Sequence, residues 1–178
     1  LVYNLVMDEL IVYIKERAFL AIILSVVEVY KRETLGLLLG YKGSNRFFVE
    51  YAIPFQTAER EFSWTEPKAR AVARMTNITK KMSIDVIGDY HSHTEYGSEK
   101  AKAIPSGEDI ADMQSGNVHI IIAVNPKLVK VKWRQNNDGT ISGTISNYYV
   151  RISAATPIGE YKYRRVKIIC PSATGLSA

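Results

Sequence analysis

The chain has 178 residues, 47% of them hydrophobic, and 23 Lys+Arg against 18 Asp+Glu give a formal net charge of +5 with a pI near 9.2. That length and apolar content exclude a disordered chain and favour one domain over two: 1–178, with a core at about 10–150 and a C-terminal strand or tail at 151–178. The single cysteine, Cys170, permits no internal disulfide, excludes a cysteine-rich zinc site and fits a reducing, cytoplasmic setting.

Leu10 to Ile14 predicts a short strand. About Glu16 to Lys31 predicts a helix, apolar nearly all round and so expected to be well buried. Its apolar stretch, Ala18 to Val27, is about half of what a membrane span needs, so no membrane partner is expected, and no secretory signal pattern is visible. Glu33 to Tyr41 and Phe47 to Ile53 predict a hairpin about Lys42-Gly43-Ser44-Asn45. Thr65-Glu66-Pro67 should open a second helix, with Thr65 as cap and Pro67 near the first turn, running to about Met82. Ser83 to His91 reads as a strand. Ser106 starts a short helix that ends at Gly116. Val118 to Val124 is an apolar strand whose His119 reads as a core or edge histidine, not a ligand. Leu128 to Gln135 and Thr140 to Arg151 pair about Asn136-Asn137-Asp138-Gly139, and a last strand covers Tyr161 to Ile169. Much of the positive charge sits at Lys127, Lys130, Lys132 and Arg134 and at Lys162, Arg164, Arg165 and Lys167. Lys130, Lys132 and Arg134 alternate with Val129, Val131 and Trp133, which reads as the solvated face of a strand and not as a nucleic-acid patch. The functional alternative is attraction for an acidic partner.

The chemistry concentrates at His91-Ser92-His93 and Ser106-Gly107-Glu108-Asp109, and the chain's histidines number three in all. Alternation along a strand puts His91 and His93 on one face with their imidazoles close together. Two imidazoles and a carboxylate make up the three protein ligands of a catalytic zinc site, and Asp109 could supply the carboxylate. The same residues also read as a polar strand end followed by a capped helix, because Ser106-x-x-Asp109 is a capping-box pattern. Asp89 shares the parity of His91 and His93. It could bond a ligand histidine, although a solvated or helix-facing aspartate is the ordinary reading.

Upstream, Glu33-Thr34-Leu35-Gly36-Leu37-Leu38-Leu39-Gly40 places an acid ahead of an apolar, glycine-punctuated strand. Glu, then HSH, then SxxD resembles the signature of the JAMM/MPN+ (Mov34/JAB) metalloproteases, and the likeness covers about Leu10 to Tyr149. Thr94 stands where that family commonly has Pro. The gap from His93 to Asp109 is longer than usual, with the extra residues in Tyr96 to Ala103, which leaves Asp112 as a competitor for Asp109.

The resemblance implies an α/β fold with a curved mixed sheet flanked by helices. It implies Zn²⁺ held by His91, His93 and Asp109, Glu33 as general base and Ser106 as oxyanion donor. The activity implied is isopeptide or peptide cleavage after the C-terminal tail of a ubiquitin-like protein. The alternatives are a non-catalytic MPN scaffold and a protein like bacterial RadC, whose motif Pro105-Ser106-Gly107-Glu108-Asp109 echoes.

Overall fold

The computed structural model describes residues 9–56, 59–60, 65–66 and 69–176. In chain order the elements are β1 (Ile11–Ile14), α1 (Glu16–Glu28), β2 (Leu35–Lys42), β3 (Arg46–Pro54), β4 (Glu59–Arg60), β5 (Thr65–Glu66), α2 (Ala69–Lys81), β6 (Asp85–Thr94), α3 (Gly107–Asp112), β7 (Val118–Pro126), β8 (Arg134–Gln135), β9 (Ile141–Ile145), β10 (Tyr148–Gly159), β11 (Lys162–Ile169) and α4 (Pro171–Thr174). The fold is mixed α/β around a nine-stranded sheet of order β11-β1-β3-β2-β6-β7-β10-β9-β8. Because β10 also pairs with β11, the strands from β11 round to β10 close a ring of pairings. β6 and β7 run parallel at its centre, joined through α3.

Burial divides along the two faces of this sheet. β7 is buried from Val118 to Asn125, in keeping with the apolar run Ile120 to Val124 of a strand covered on both sides. Its even members Ile120, Ile122 and Val124 join the main core with Phe19, Ile22 and Val26 of α1. Phe19 meets Trp133 edge-on with ring centroids 5.3 Å apart. On the opposite face Leu37, Leu39 and Phe55 pack with Val72 and Met75 of α2. Gly36 is required by close approach, since a Cβ there would run into the Tyr90 ring and the Ile53 carbonyl. No helix among the described residues is long and apolar enough to cross a membrane.

Several expected boundaries shift, each for a local reason. α1 stops at Glu28, short of Lys31, and Lys31 itself takes a left-handed φ of 77°. Nor is α1 buried all round. Leu20 and Leu24, four residues apart and so on one side of the helix, are 56% and 60% exposed, because only the other side meets the sheet. Thr65 lies in the small β4–β5 ladder and α2 begins at Ala69, while Pro67 falls outside the described residues. The strand expected over Leu128 to Gln135 survives only as β8, and Leu128 and Val129 are exposed. Ahead of β8, Val131 and Trp133 are tied to Thr144, the latter through its indole N–H. The strand expected over Thr140 to Arg151 breaks at Ser146, where a positive φ turns β9 into β10. The hairpin about Asn136 to Gly139 is present. The Gly139 amide donates to the Asn136 carbonyl at 3.1 Å, and Gly139 takes a φ of 83°, the turn-plus-glycine arrangement such loops favour.

Candidate metal centre

Tyr90 decides which way β6 presents its histidines. Its ring is fully buried against α1, with its hydroxyl 3.1 Å from Ser25 Oγ. Its neighbours of opposite parity, Asp89, His91 and His93, therefore point to the other face. There the two Nε2 atoms of His91 and His93 come within 3.1 Å of each other. His91 Nε2 lies 3.2 Å from Asp109 Oδ1, and His93 Nε2 lies 3.4 Å from Asp109 Oδ2. All three side chains are partly exposed, so the cluster is open on one side.

Asp109 reaches this point from a rigid helix start. Ser106 caps α3: its Oγ accepts from the Asp109 amide at 3.1 Å, and the Ser106 amide donates to Asp109 Oδ2 at 2.6 Å. The capping reading of Ser106-x-x-Asp109 is thus met, and the cap leaves Asp109 among the groups that could hold a metal. Asp112, at the end of α3, is exposed and stands outside the His91, His93, Asp109 group.

The donor set fits a zinc ion. Four ligands at about 2.0–2.1 Å in tetrahedral array stand roughly 3.3 Å from one another; here the two Nε2 atoms are 3.1 Å apart and each faces one oxygen of Asp109, His91 at 3.2 Å from Oδ1 and His93 at 3.4 Å from Oδ2. His93 Nδ1 lies 2.9 Å from the Lys102 carbonyl, to which only an N–H can donate. That bond leaves the Nε2 lone pair directed at the cluster, the outer-shell arrangement typical of ligand histidines. Burial disfavours charge on Asp109, but the neighbouring imidazoles of His91 and His93 outweigh it and hold the carboxyl far below its usual range.

Residues 15–136 match the family profile described as prokaryotic homologs of the JAB domain. The chain belongs to that family. Among solved structures it is similar to the solution structure of protein DSY2949 from Desulfitobacterium hafniense, with a TM-score of 0.61 at 15% identity over 89% of this chain and 92% of that one. At that identity the likeness concerns the fold alone. No curated protein matches.

In this JAB-domain chain Glu33 lies two residues ahead of β2, not within it. Its place is set by its neighbour. The Thr34 amide donates to Ser92 Oγ and the Ser92 amide to the Thr34 carbonyl, both at 2.9 Å and both buried. Since Leu35 pairs with His91, the register extended through Thr34 and Ser92 sets Glu33 opposite His93. Burial pushes the Glu33 carboxyl above its ordinary value; His93 and His91 pull it back, and Asp109 adds to the rise. Ser106 is exposed at the helix start. Its oxygen accepts from Asp109, which leaves its O–H to donate.

Asp89 does not bond a ligand histidine. It faces His119, its register partner on β7, with His119 Nδ1 3.0 Å from the carboxylate. The Gln114 amide donates to His119 Nε2 at 3.2 Å, so the proton sits on Nδ1. His119 is 3% exposed, a core histidine with both nitrogens engaged. This pair was not legible in the sequence beyond the parity of Asp89. Through the Gln114 amide His119 also holds the chain that leaves α3, a helix that contributes no buried residue of its own.

Proposed function

We propose that this protein is a zinc-dependent peptidase or isopeptidase that cleaves after the C-terminal tail of a ubiquitin-like protein or its conjugates. One observation carries the reading: the Nε2 atoms of His91 and His93 and the carboxylate of Asp109 converge, with His93 Nδ1 bonded to the Lys102 carbonyl and Glu33 in register with His93. His91, His93 and Asp109 would hold the ion, leaving a fourth position for water. Bound zinc would supply Lewis acidity, polarising a carbonyl and making water acidic enough to react near neutral pH.

The chain's own residues carry the proton and the charge. Glu33 takes a proton from the water that attacks the peptide carbonyl and returns it to the departing amine, so one water is added across the bond broken. A carboxylate raised above its ordinary value suits that exchange better than a solvated one. The Ser106 hydroxyl donates to the oxygen that gains charge as the carbonyl carbon becomes tetrahedral. A substrate tail would lie extended across the sheet face beside the cluster. A cytoplasmic setting accords with the lone buried Cys170.

The test is incubation of zinc-loaded protein with ubiquitin-like conjugates, with and without chelator. Cleavage that the chelator stops supports the reading. Zinc-replete, folded protein that cleaves no conjugate would leave the non-catalytic scaffold in its place.

A further inference from the structure

On the same sheet face as the metal corner, away from Glu33, lies a cleft of about 490 Å³. The pairings fix its position. His93 pairs with Ala123 on β7, and Ala123 with Arg151 on β10, so Arg151 stands two strands from His93, about 10 Å at roughly 4.8 Å per step. Ala123 and Arg151 both line the cleft. The wall nearest the metal corner is the segment from Lys100 to Ile104, whose Lys102 carbonyl binds His93. Asn125 pins this wall to the sheet, accepting from the Ala101 amide at 2.9 Å and donating to the Ala101 carbonyl at 3.1 Å.

The lining is cationic over an apolar floor. Lys102, Lys127, Arg151 and Arg165 point to one requirement, a negatively charged ligand. Asp138 accepts from Arg151 at 2.7 Å and from Arg165 at 3.3 Å, which orients both guanidinium groups and neutralises only one of them. Lys127 sits 4.9 Å over the Tyr149 ring and is not paired with that acid. Lys102, Lys127 and one of the two arginines keep their charge, so the lining calls for an anion; a carboxylate is the anion an unmodified peptide brings, and phosphate is the competitor that the test must separate from it. A cleft of this volume also falls in the range of specific ligand sites.

We propose that the cleft recognises a carboxylate on the peptide substrate. An extended chain advances about 3.3 Å per residue, so an acidic group roughly three residues from the bond at the metal corner would reach Arg151. The identity of the ligand as substrate rests on the peptidase reading above; the cleft's charge and shape do not.

The binding test needs no turnover. Isotope-labelled full-length protein is titrated, with backbone amide shifts as readout, against acetyl-Ala-Glu-Ala-amide, acetyl-Ala-Ala-Ala with a free C-terminus, acetyl-Ala-Gln-Ala-amide and inorganic phosphate. At least one of the two carboxylate probes should give saturable shifts at Ala101, Ala123, Tyr149 and Arg151, and the Gln probe none. The tighter of the two carboxylates identifies a side chain or a chain end as the group read. Arg151→Gln should weaken binding by about tenfold. Lys127→Gln, which leaves the Asp138 bonds alone, should also weaken it and guards against a misfolded Arg151 variant. Equal binding of the Gln probe, tighter binding of phosphate, no saturable shift, or wild-type affinity in both variants would overturn the site.

A second arm then tests the substrate. Quenched peptides carrying Glu or Gln three residues from the cleaved bond should differ in KM, and Arg151→Gln should erase the difference. Carboxylate binding with no cleavage of any peptide would sink the peptidase reading and the substrate assignment while the site stands. Cleavage without carboxylate binding would sink the site alone.

Discussion

Two histidine–aspartate arrangements sit side by side on one sheet face and do opposite things with the same groups. At the first, the Nε2 atoms of His91 and His93 converge with the Asp109 carboxylate, and the cluster is partly exposed. At the second, His119 is buried, with Nδ1 on Asp89 and Nε2 accepting the Gln114 amide. Proximity to a carboxylate is common to both and so does not mark a ligand. The marks are an unspent lone pair, convergence with other donors, and an open side. His93 has them because the Lys102 carbonyl takes up its other nitrogen; His119 lacks them because its fold partners use both nitrogens.

Glu33 gives the sharpest way to break this contrast, since it belongs to the first arrangement and has no counterpart assigned in the second. Glu33→Gln keeps size and hydrogen-bonding reach but cannot take a proton from water. Turnover on a ubiquitin-like conjugate should fall by about 10²–10⁴ while zinc content and melting temperature stay near wild type. An active Glu33→Gln enzyme would sink the proposed mechanism even with zinc bound.

Metal stoichiometry separates the two arrangements directly. His91→Ala or His93→Ala should abolish stoichiometric zinc, whereas His119→Ala should retain it near one per chain. Zinc loss in the His119 variant comparable to that in the other two would erase the distinction drawn here.

Within the first arrangement, Asp109→Asn should weaken zinc binding by more than the roughly 10–100-fold typical of outer-shell changes, and Asp112→Asn should leave it unchanged. Competition with a chromogenic chelator reads both. The reverse pattern would mean that α3 presents its other aspartate.

What was legible in the chain follows the range of the interaction. The strand parity of His91 and His93 and the capping box of Ser106 and Asp109 are local patterns, set by side-chain periods and by helix ends, and both appear in the structure. The apolar run of β7 likewise reads as a strand, and the structure buries it on both faces. The rest depends on register between distant segments. Asp89 meets His119 across 30 positions and Ala101 meets Asn125 across 24, and no local period signals either. No cleft about Arg151 and Arg165 could be read from the chain, because the turn at Ser146 and the β10–β11 pairing that bring them together lie beyond local patterning. The short β8 was overcalled for a similar reason. The chain predicts a strand over Leu128 to Gln135, but the pairing partner reaches only Arg134 and Gln135.

The smallest expected effect tests whether the second arrangement serves the first. α3 carries Asp109 yet buries none of its own residues, so its far end depends on the chain leaving it, and that chain is bonded to His119 at Gln114. His119→Leu keeps apolar bulk in the core but removes the acceptor for Gln114 and the donor for Asp89. Asp89 is a third exposed and can turn to water, so the net loss should be about 1–2 kcal/mol, not the full penalty of a buried charge. For a chain of this length that corresponds to a melting-temperature drop of roughly 2–8 °C. If the bond also steadies α3, zinc should bind about tenfold more weakly, still at one per chain, by analogy with other outer-shell groups. Asp89→Asn keeps an acceptor for His119 Nδ1–H, so it should recover most of both effects relative to His119→Leu. A His119→Leu protein that melts lower but binds zinc as tightly as wild type would confine the pair to stability and leave the positioning of Asp109 to the Ser106 cap alone.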